Sequence, residues 1–227
     1  MRTAVLFDVD GTLVDTNYQH TLAWFRAFRE HDVTVPNWRI HRAIGMGGDR
    51  LVAEVAGDDV EEKLGDALRD EWKRAFDPML GEITAFEGAR ELVAEAARLG
   101  FDTALASSGD PDHIEHYLEL LDLTDQVWTS SKDVSNSKPA RDLLDVALDR
   151  VEAEAGLLIG DSVWDCAAAY EAGIPCAALL TGGYSEAELR AAGAVAVFAS
   201  LPDLRAELGS LSPARRSGSG TPPGHPR

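Results

Sequence analysis

Short unbroken apolar runs, each stopping at a turn-forming or polar residue, recur along this chain with stretches of helical period between most of them. Residues 3–7 (Thr-Ala-Val-Leu-Phe), 101–106, 126–129, 156–160, 174–180 and 195–198 read as strands. An apolar run of about four to eight residues bounded by turn residues is what a strand buried on both faces looks like. Helices are expected between them. One lies near 87–99 and ends at Gly100, a residue suited to follow a helix. A second opens at Asp110-Pro111, with Asp as N-cap and Pro in first position. A third runs from Pro139 to about Asp149 and buries Leu143, Leu144, Ala147 and Leu148. An Ala-rich helix ends at Gly173, and the capping box Ser185/Glu188 opens another that Gly193 closes. The last covers 201–208. This alternation predicts an α/β fold, a Rossmann-like parallel sheet with helices against it.

One interval breaks the alternation. Residues 17–80 keep a helical period and hold no convincing strand. Thr16 and Gln19 fit a capping box opening a helix on which Tyr18, Leu22, Phe25 and Arg29 share a spacing, with His20, Trp24 and Phe28 displaced around the cylinder. A short segment from Pro36 to Ile44 leads to Gly45-Met46-Gly47-Gly48, expected to form a loop over the pocket, and another helix starts after Asp49. A further helix covers about 59–77, with Leu64, Leu68, Trp72 and Phe76 at four-residue steps, and Pro78 and Gly81 end it. The next strand of an α/β chain should arrive within about 30 residues. The interval therefore reads as a helical subdomain, 16–80, inserted into a core made of 1–15 and 81–211. Residues 212–227, with almost nothing to bury, read as a disordered tail.

The formal net charge of −18 argues against nucleic acid or an anionic membrane as partner. No apolar run approaches the roughly 20 residues of a membrane span. Met1-Arg2 is followed by too few apolar residues for a signal peptide, and Cys166 and Cys176 suggest neither a metal pair nor a disulfide framework. A cytoplasmic protein is expected, a monomer, with a homodimer as the alternative.

The candidate chemistry sits where the apolar runs stop. Asp8 and Asp10 follow the first strand at i and i+2, a spacing that delivers both carboxylates to one pocket, and Gly11 lets the backbone turn away. Open α/β sheets bind ligands at the carboxyl ends of their strands. The run Phe-Asp-Val-Asp-Gly-Thr-Leu-Val-Asp-Thr (7–16) resembles the signature of the haloacid-dehalogenase-like superfamily of phosphatases and related phosphoryl-transfer enzymes. Three later stretches match the family's further motifs in order: Ala106-Ser107-Ser108, Ser137-Lys138-Pro139, and Ile159-Gly160-Asp161-Ser162-Val163-Trp164-Asp165.

The resemblance implies a small helical cap over the active site and a Mg²⁺-dependent phosphatase acting on a small phosphorylated metabolite. Asp8 would be the nucleophile and form an aspartyl-phosphate, with Asp10 as acid and then base. Ser107 and Ser108 would meet the phosphoryl group, and Lys138 would offset charge between it and Asp8. Asp8, Asp161, Asp165 and the backbone carbonyl of Asp10 would serve the metal. The residue types suit that chemistry, because a carboxylate nucleophile is repelled by a phosphomonoester unless a hard cation accepts oxygens from both.

Two other readings compete. Asp15-Thr16-x-x-x-His20 is similar to the cap entrance of β-phosphoglucomutase, which makes His20 a candidate substrate ligand and a sugar phosphomutase the enzymatic rival. A catalytically silent phosphometabolite-binding protein is the alternative from another class. Haloacid dehalogenation is disfavoured because those relatives lack the second Asp, and phosphonatase chemistry because Lys63 and Lys73 lie on a charged helix. Where many relatives continue K-P-x-P-D, this chain has Lys138-Pro139-Ala140-Arg141-Asp142, and Arg141 reads as solvent-facing. Trp164 is expected to face the cap, and Arg50 is a candidate for meeting a second anionic group of the substrate.

Overall fold

The structure, a computed structural model, describes residues 2–134 and 138–215. Six parallel strands run in the order β3-β2-β1-β4-β5-β6: β1 (Thr3–Phe7), β2 (Asp102–Ala106), β3 (Val127–Thr129), β4 (Ala155–Gly160), β5 (Cys176–Leu179) and β6 (Ala194–Phe198). The two-residue period of β1 divides the core. Val5 and Phe7 pack under α5 (Ala89–Arg98), α6 (Pro111–Leu121) and α10 (Leu201–Glu207). Ala4 and Leu6 pack on the other face under α7 (Asp142–Arg150), α8 (Val163–Ala172) and α9 (Glu186–Ala191). Strand order reverses between β1 and β4, which opens a crevice beyond their carboxyl ends. The α/β expectation holds.

Residues 17–76 are helical: α1 (Asn17–Glu30), α2 (Asn37–His41), α3 (Gly48–Ala56) and α4 (Asp58–Phe76). They bury a cluster of their own, with Trp24, Phe28, Ile40, Leu51, Val52 and Leu68 at its centre. The segment leaves and rejoins the sheet side by side. Asp15 N donates to the Thr84 carbonyl at 2.9 Å, and Phe86 N to the Leu13 carbonyl at 3.0 Å. No helix among the described residues is long and apolar enough to cross a membrane.

Two local expectations departed from the structure, and in two further places packing decided what the sequence pattern left open. The capping box at Thr16 does not form, because the Thr16 hydroxyl donates to Asp10 Oδ1 at 2.9 Å instead. The buried face of α1 carries His20, Trp24 and Phe28, not Tyr18, which is 66% exposed. Packing against α4 selects the aromatic stripe over an equally periodic one. The segment after Pro36 forms α2, too short to show a period. Finally, α7 begins at Asp142 rather than Pro139: Lys138 and Pro139 lie in a turn that sends the lysine side chain inward first.

The tail also departs from the expectation where it is described. Ala214 and Arg215 form β7, antiparallel to Gly156 and Ala155 of β4, and both are exposed; the rest of 216–227 lies outside the described residues. A two-residue ladder supplies a bond or two, each worth about 1 kcal/mol net. A chain ending at Leu211 is therefore expected to melt no more than about 8 °C below the full chain, by calorimetry. A larger fall would show that the tail carries part of the core.

Candidate active site

Gly11 brings the ends of β1 and β4 together. Its φ is +75°, and a Cβ there would lie 2.2 Å from Asp161 Oδ2 and 2.3 Å from Asn17 Nδ2. No other residue fits that approach. Thr12 spans the gap, donating to Asp161 Oδ1 at 3.0 Å and reaching Asp8 Oδ2 at 3.3 Å, while Asn17 donates to Asp161 Oδ2 at 2.9 Å.

Asp8 and Asp10 share a side of the chain but settle in different surroundings. Asp8 faces α7 and α8. The fully buried Lys138 ammonium pairs with Asp8 Oδ1 and, at 2.7 Å, with Asp165 Oδ1. The other oxygen of Asp165 accepts from the Ser162 hydroxyl at 2.6 Å and the Ser162 N–H at 3.1 Å, the reciprocal cap of α8. Asp165 thus ties the lysine to the start of a helix, and Gly160 leaves room for it, since a Cβ there would sit 2.5 Å from its side chain.

Asp8, Asp161 and Asp165 can each present an oxygen such that all three lie within 4.8 Å of one another. One lysine does not balance three buried carboxylates. Burial, then Asp165 and Asp161, push the Asp8 carboxyl well above its usual range against the pull of Lys138. Burial and Asp165 push Asp161 up to about 7. Raised carboxyls of this kind mark a shortage of positive charge, and an all-oxygen donor set suits a hard divalent cation such as Mg²⁺. The donor set fits the metal. The carboxylate of Asp10 does not join this cluster, so the only atom left to it as a metal ligand is the backbone carbonyl that the resemblance implied.

Asp10 turns toward the helical segment instead. Its Oδ1 takes the Thr16 hydroxyl and lies 2.9 Å from His20 Nε2, and its Oδ2 receives the Ser107 hydroxyl at 3.3 Å. Burial pushes its pKa up, but His20 and Thr16 outweigh burial and hold it below the usual range. The His20 ring stacks on Phe76 with centroids 4.1 Å apart. Farther out, His113 Nε2 lies 2.8 Å from Asp77 Oδ1, which fastens α6 to the segment after α4.

Asp8, Asp10, His20 and Ser108 open onto one cavity of about 430 Å³ between the strand ends and α1, α3 and α4. Ser107, Lys138, Asp161 and Asp165 lie behind its wall. The expected loop supplies Gly45, Met46, Gly48 and Asp49 to the lining, although Gly48 and Asp49 already belong to α3. Arg50 is not in the lining. Arg141 pairs with Asp145 at 2.6 Å, and Trp164 donates to the Arg42 carbonyl in the helical segment at 3.1 Å. Lys73 does line the cavity. Burial would lower its ammonium, but Asp110, Asp77 and Asp112 hold it above its usual value, so it serves as a cation rather than as a free amine.

Thr12 and Asn17 carried no assigned role in the sequence, and Thr16 was read as a helix cap rather than as a partner of Asp10. Thr12 and Thr16 lie within the first motif, a usable signal, whereas nothing in the sequence distinguishes Asn17.

A family model for haloacid dehalogenase-like hydrolases matches residues 5–179. The chain belongs to that family. Among curated relatives, it is 29% identical to a phosphoglycolate phosphatase of Rhodospirillum rubrum, covering 94% of this chain and 93% of that one. It is 28% identical to a validoxylamine A 7′-phosphate phosphatase of Streptomyces hygroscopicus subsp. limoneus, over 82% and 90% of the two chains. Among solved structures, a hydrolase from Pseudomonas syringae superposes with a TM-score of 0.88 at 31% identity, over 93% of this chain and all of that one. These relatives support a phosphatase within the haloacid dehalogenase-like family.

Proposed function

We propose that this protein hydrolyses the phosphate monoester of a small metabolite through an aspartyl-phosphate on Asp8, with Mg²⁺ held by Asp8, Asp161 and Asp165. The observation that carries the reading is the division of labour between the two carboxylates. Asp8 is pinned by a buried lysine at the cavity floor, while Asp10 faces it from a separate proton-handling nest. A divalent cation there would supply charge neutralisation between carboxylate and phosphate.

In the first step an Asp8 oxygen forms a bond to phosphorus, the ester P–O bond breaks, and Asp10 delivers a proton to the leaving oxygen. Asp10 is held ionised at rest, and His20 Nε2 at 2.9 Å lies where a proton can be shared with it. In the second step Asp10 takes a proton from water, the water oxygen attacks phosphorus, and the acyl phosphate opens to inorganic phosphate and free Asp8. Lys138 stays cationic throughout, because Asp165 and Asp8 outweigh its burial. Ser107 orients Asp10, and Ser108, whose hydroxyl has no partner among the described residues, is available to a phosphoryl oxygen. Residues 16–80 act as a cap on a core of 1–15 and 81–211. The protein is read as a monomer, with a homodimer as the alternative.

The mutase reading rests on the placement of His20 against Asp10. A mutase must keep water from the acyl phosphate while its intermediate reorients. The test is phosphorus NMR of the protein with Mg²⁺, glucose 1-phosphate and a trace of the bisphosphate. Net release of inorganic phosphate, with no isomerised sugar phosphate accumulating, is expected. Glucose 6-phosphate forming faster than free phosphate would establish the mutase.

A further inference from the structure

Asn17 reaches from the helical segment into the acidic cluster. It is the first residue of α1 and is 5% exposed. An Asn at the start of a helix ordinarily bonds the helix's own first amides. Here Thr16 holds the N-cap position, and the Asn17 amide turns to the core instead, donating through Nδ2 to Asp161 Oδ2 at 2.9 Å. Its other end, Oδ1, is buried without a partner among the described residues. Packing alone does not account for such a side chain, because an apolar one would fill the space without burying an amide.

Asp161 is gripped at both oxygens. Thr12, from the core, donates to Oδ1 at 3.0 Å, and Asn17, from the helical segment, donates to Oδ2. A carboxylate oxygen has two lone pairs, so these bonds set the orientation of Asp161 and leave each oxygen able to meet a cation. The loop after β5 stands behind Oδ2, where a Cβ on Gly182 would lie 2.4 Å from it. His41 Nε2 of α2 lies 3.0 Å from the Gly182 carbonyl. Three residues beyond Asp161, the Trp164 indole donates to the Arg42 carbonyl at 3.1 Å. The surroundings of Asp161 are thus held by α1, by α2 and by the residue after α2.

We infer that Asn17 is a positioning residue for the cation: it aims Asp161 from the cap side, and through it Mg²⁺ binding and the seating of the cap are coupled. This rests on the reading of Asp161 as a Mg²⁺ ligand and of residues 16–80 as a cap. With the cap seated, Asp161 is fixed in one orientation and is ready for the ion. With the cap displaced, Asn17 leaves with α1 and the carboxylate keeps only Thr12. Such a coupling is reciprocal, so the seated cap strengthens Mg²⁺ binding by the factor with which Mg²⁺ favours the seated cap. Thr16 and His20 tie α1 to Asp10 independently of Asn17, so replacing Asn17 removes the bond to Asp161 and leaves those two in place.

Two measurements on the full-length protein test this. In the first, Mg²⁺ alone is titrated by calorimetry into wild type and Asn17→Ala, and the variant is expected to bind at least about tenfold more weakly, the usual cost of losing a bond to a metal ligand. The second is amide hydrogen exchange of the wild type in saturating Mg²⁺ and in EDTA. Residues 38–46 include none of the proposed ligands, yet their amides are expected to exchange at least about threefold more slowly with Mg²⁺, and Asn17→Ala at saturating Mg²⁺ to lose most of that protection. Binding by the variant less than about threefold weaker, or exchange of 38–46 indifferent to Mg²⁺ in the wild type, would overturn the inference. Should the variant not fold, the wild-type exchange decides alone. Wild type that binds no Mg²⁺ defeats the metal reading itself, whereas bound Mg²⁺ with either contrary result defeats only the role of Asn17 and its coupling.

Discussion

Asp8→Asn is expected to lower phosphate-ester turnover by at least about 10³-fold, since removing a covalent nucleophile leaves only binding and charge stabilisation. It is also expected to leave the melting temperature within a few degrees of wild type. The second half of that expectation comes from the surroundings of Asp8. Removing one partner of a buried ion pair usually costs several kcal/mol because a charge is stranded. Here Lys138 keeps Asp165 at 2.7 Å, so it is not stranded. Asp8 also sits with two other carboxylates that already push it toward its neutral form, which an amide mimics. Loss of one negative charge from that cluster offsets the loss of one contact to the lysine. Activity of Asp8→Asn within tenfold of wild type, with deamidation excluded by mass spectrometry, would remove Asp8 from the mechanism. A large fall in melting temperature alongside lost activity would instead mean that the cluster supports the fold more than the chemistry.

The legible part of this architecture is the part that periodicity and motif order control. Every parallel strand lies within two residues of its expected bounds, because a strand buried on both faces needs a continuous apolar run and little else. Asp8, Lys138, Asp161 and Asp165 lie together, since each sits at a strand end, in the turn before a core helix or in the first turn of one. Side-chain competition was not legible. Thr16 has the sequence of a capping residue, but a half-buried carboxylate six residues earlier is the stronger claimant on its hydroxyl. On α1 two stripes share the helical period, and only the facing surface of α4 decides that His20, Trp24 and Phe28 turn inward. The same packing places Trp72, read as one step in a spacing of four, both against His20 and on the cavity wall. The charge balance of that wall depends on pairs distant in sequence, such as Lys73 with Asp110, and no local pattern announces them.

Chelation is expected to abolish activity and to change how stability depends on pH. Asp161 is held at about 7 in the folded protein, against an ordinary value of 3.8, and Asp8 is raised as well. A carboxyl that binds its proton more tightly when folded contributes stability below its unfolded pKa and loses it as pH rises through the folded one. In EDTA Asp161 should therefore cost the protein stability progressively between about pH 4 and about pH 7, and Asp8 adds a loss of the same sign. A divalent cation replaces the missing positive charge and competes with those protons, so its effect must grow with pH. At a hundredfold excess over its dissociation constant Mg²⁺ contributes about 2.7 kcal/mol, which for a chain of this size is roughly 5–10 °C in melting temperature. The expected result is a shift of that order near pH 8 and little or none near pH 5, measured as the difference between Mg²⁺ and EDTA samples so that other titrating groups cancel. Asp161→Ala should shrink the pH 8 shift and weaken activation by Mg²⁺. Full turnover in metal-free buffer would dispose of the metal. A shift equal at both pH values would place any bound cation away from Asp8 and Asp161, because only a site built from those carboxyls has protons to displace.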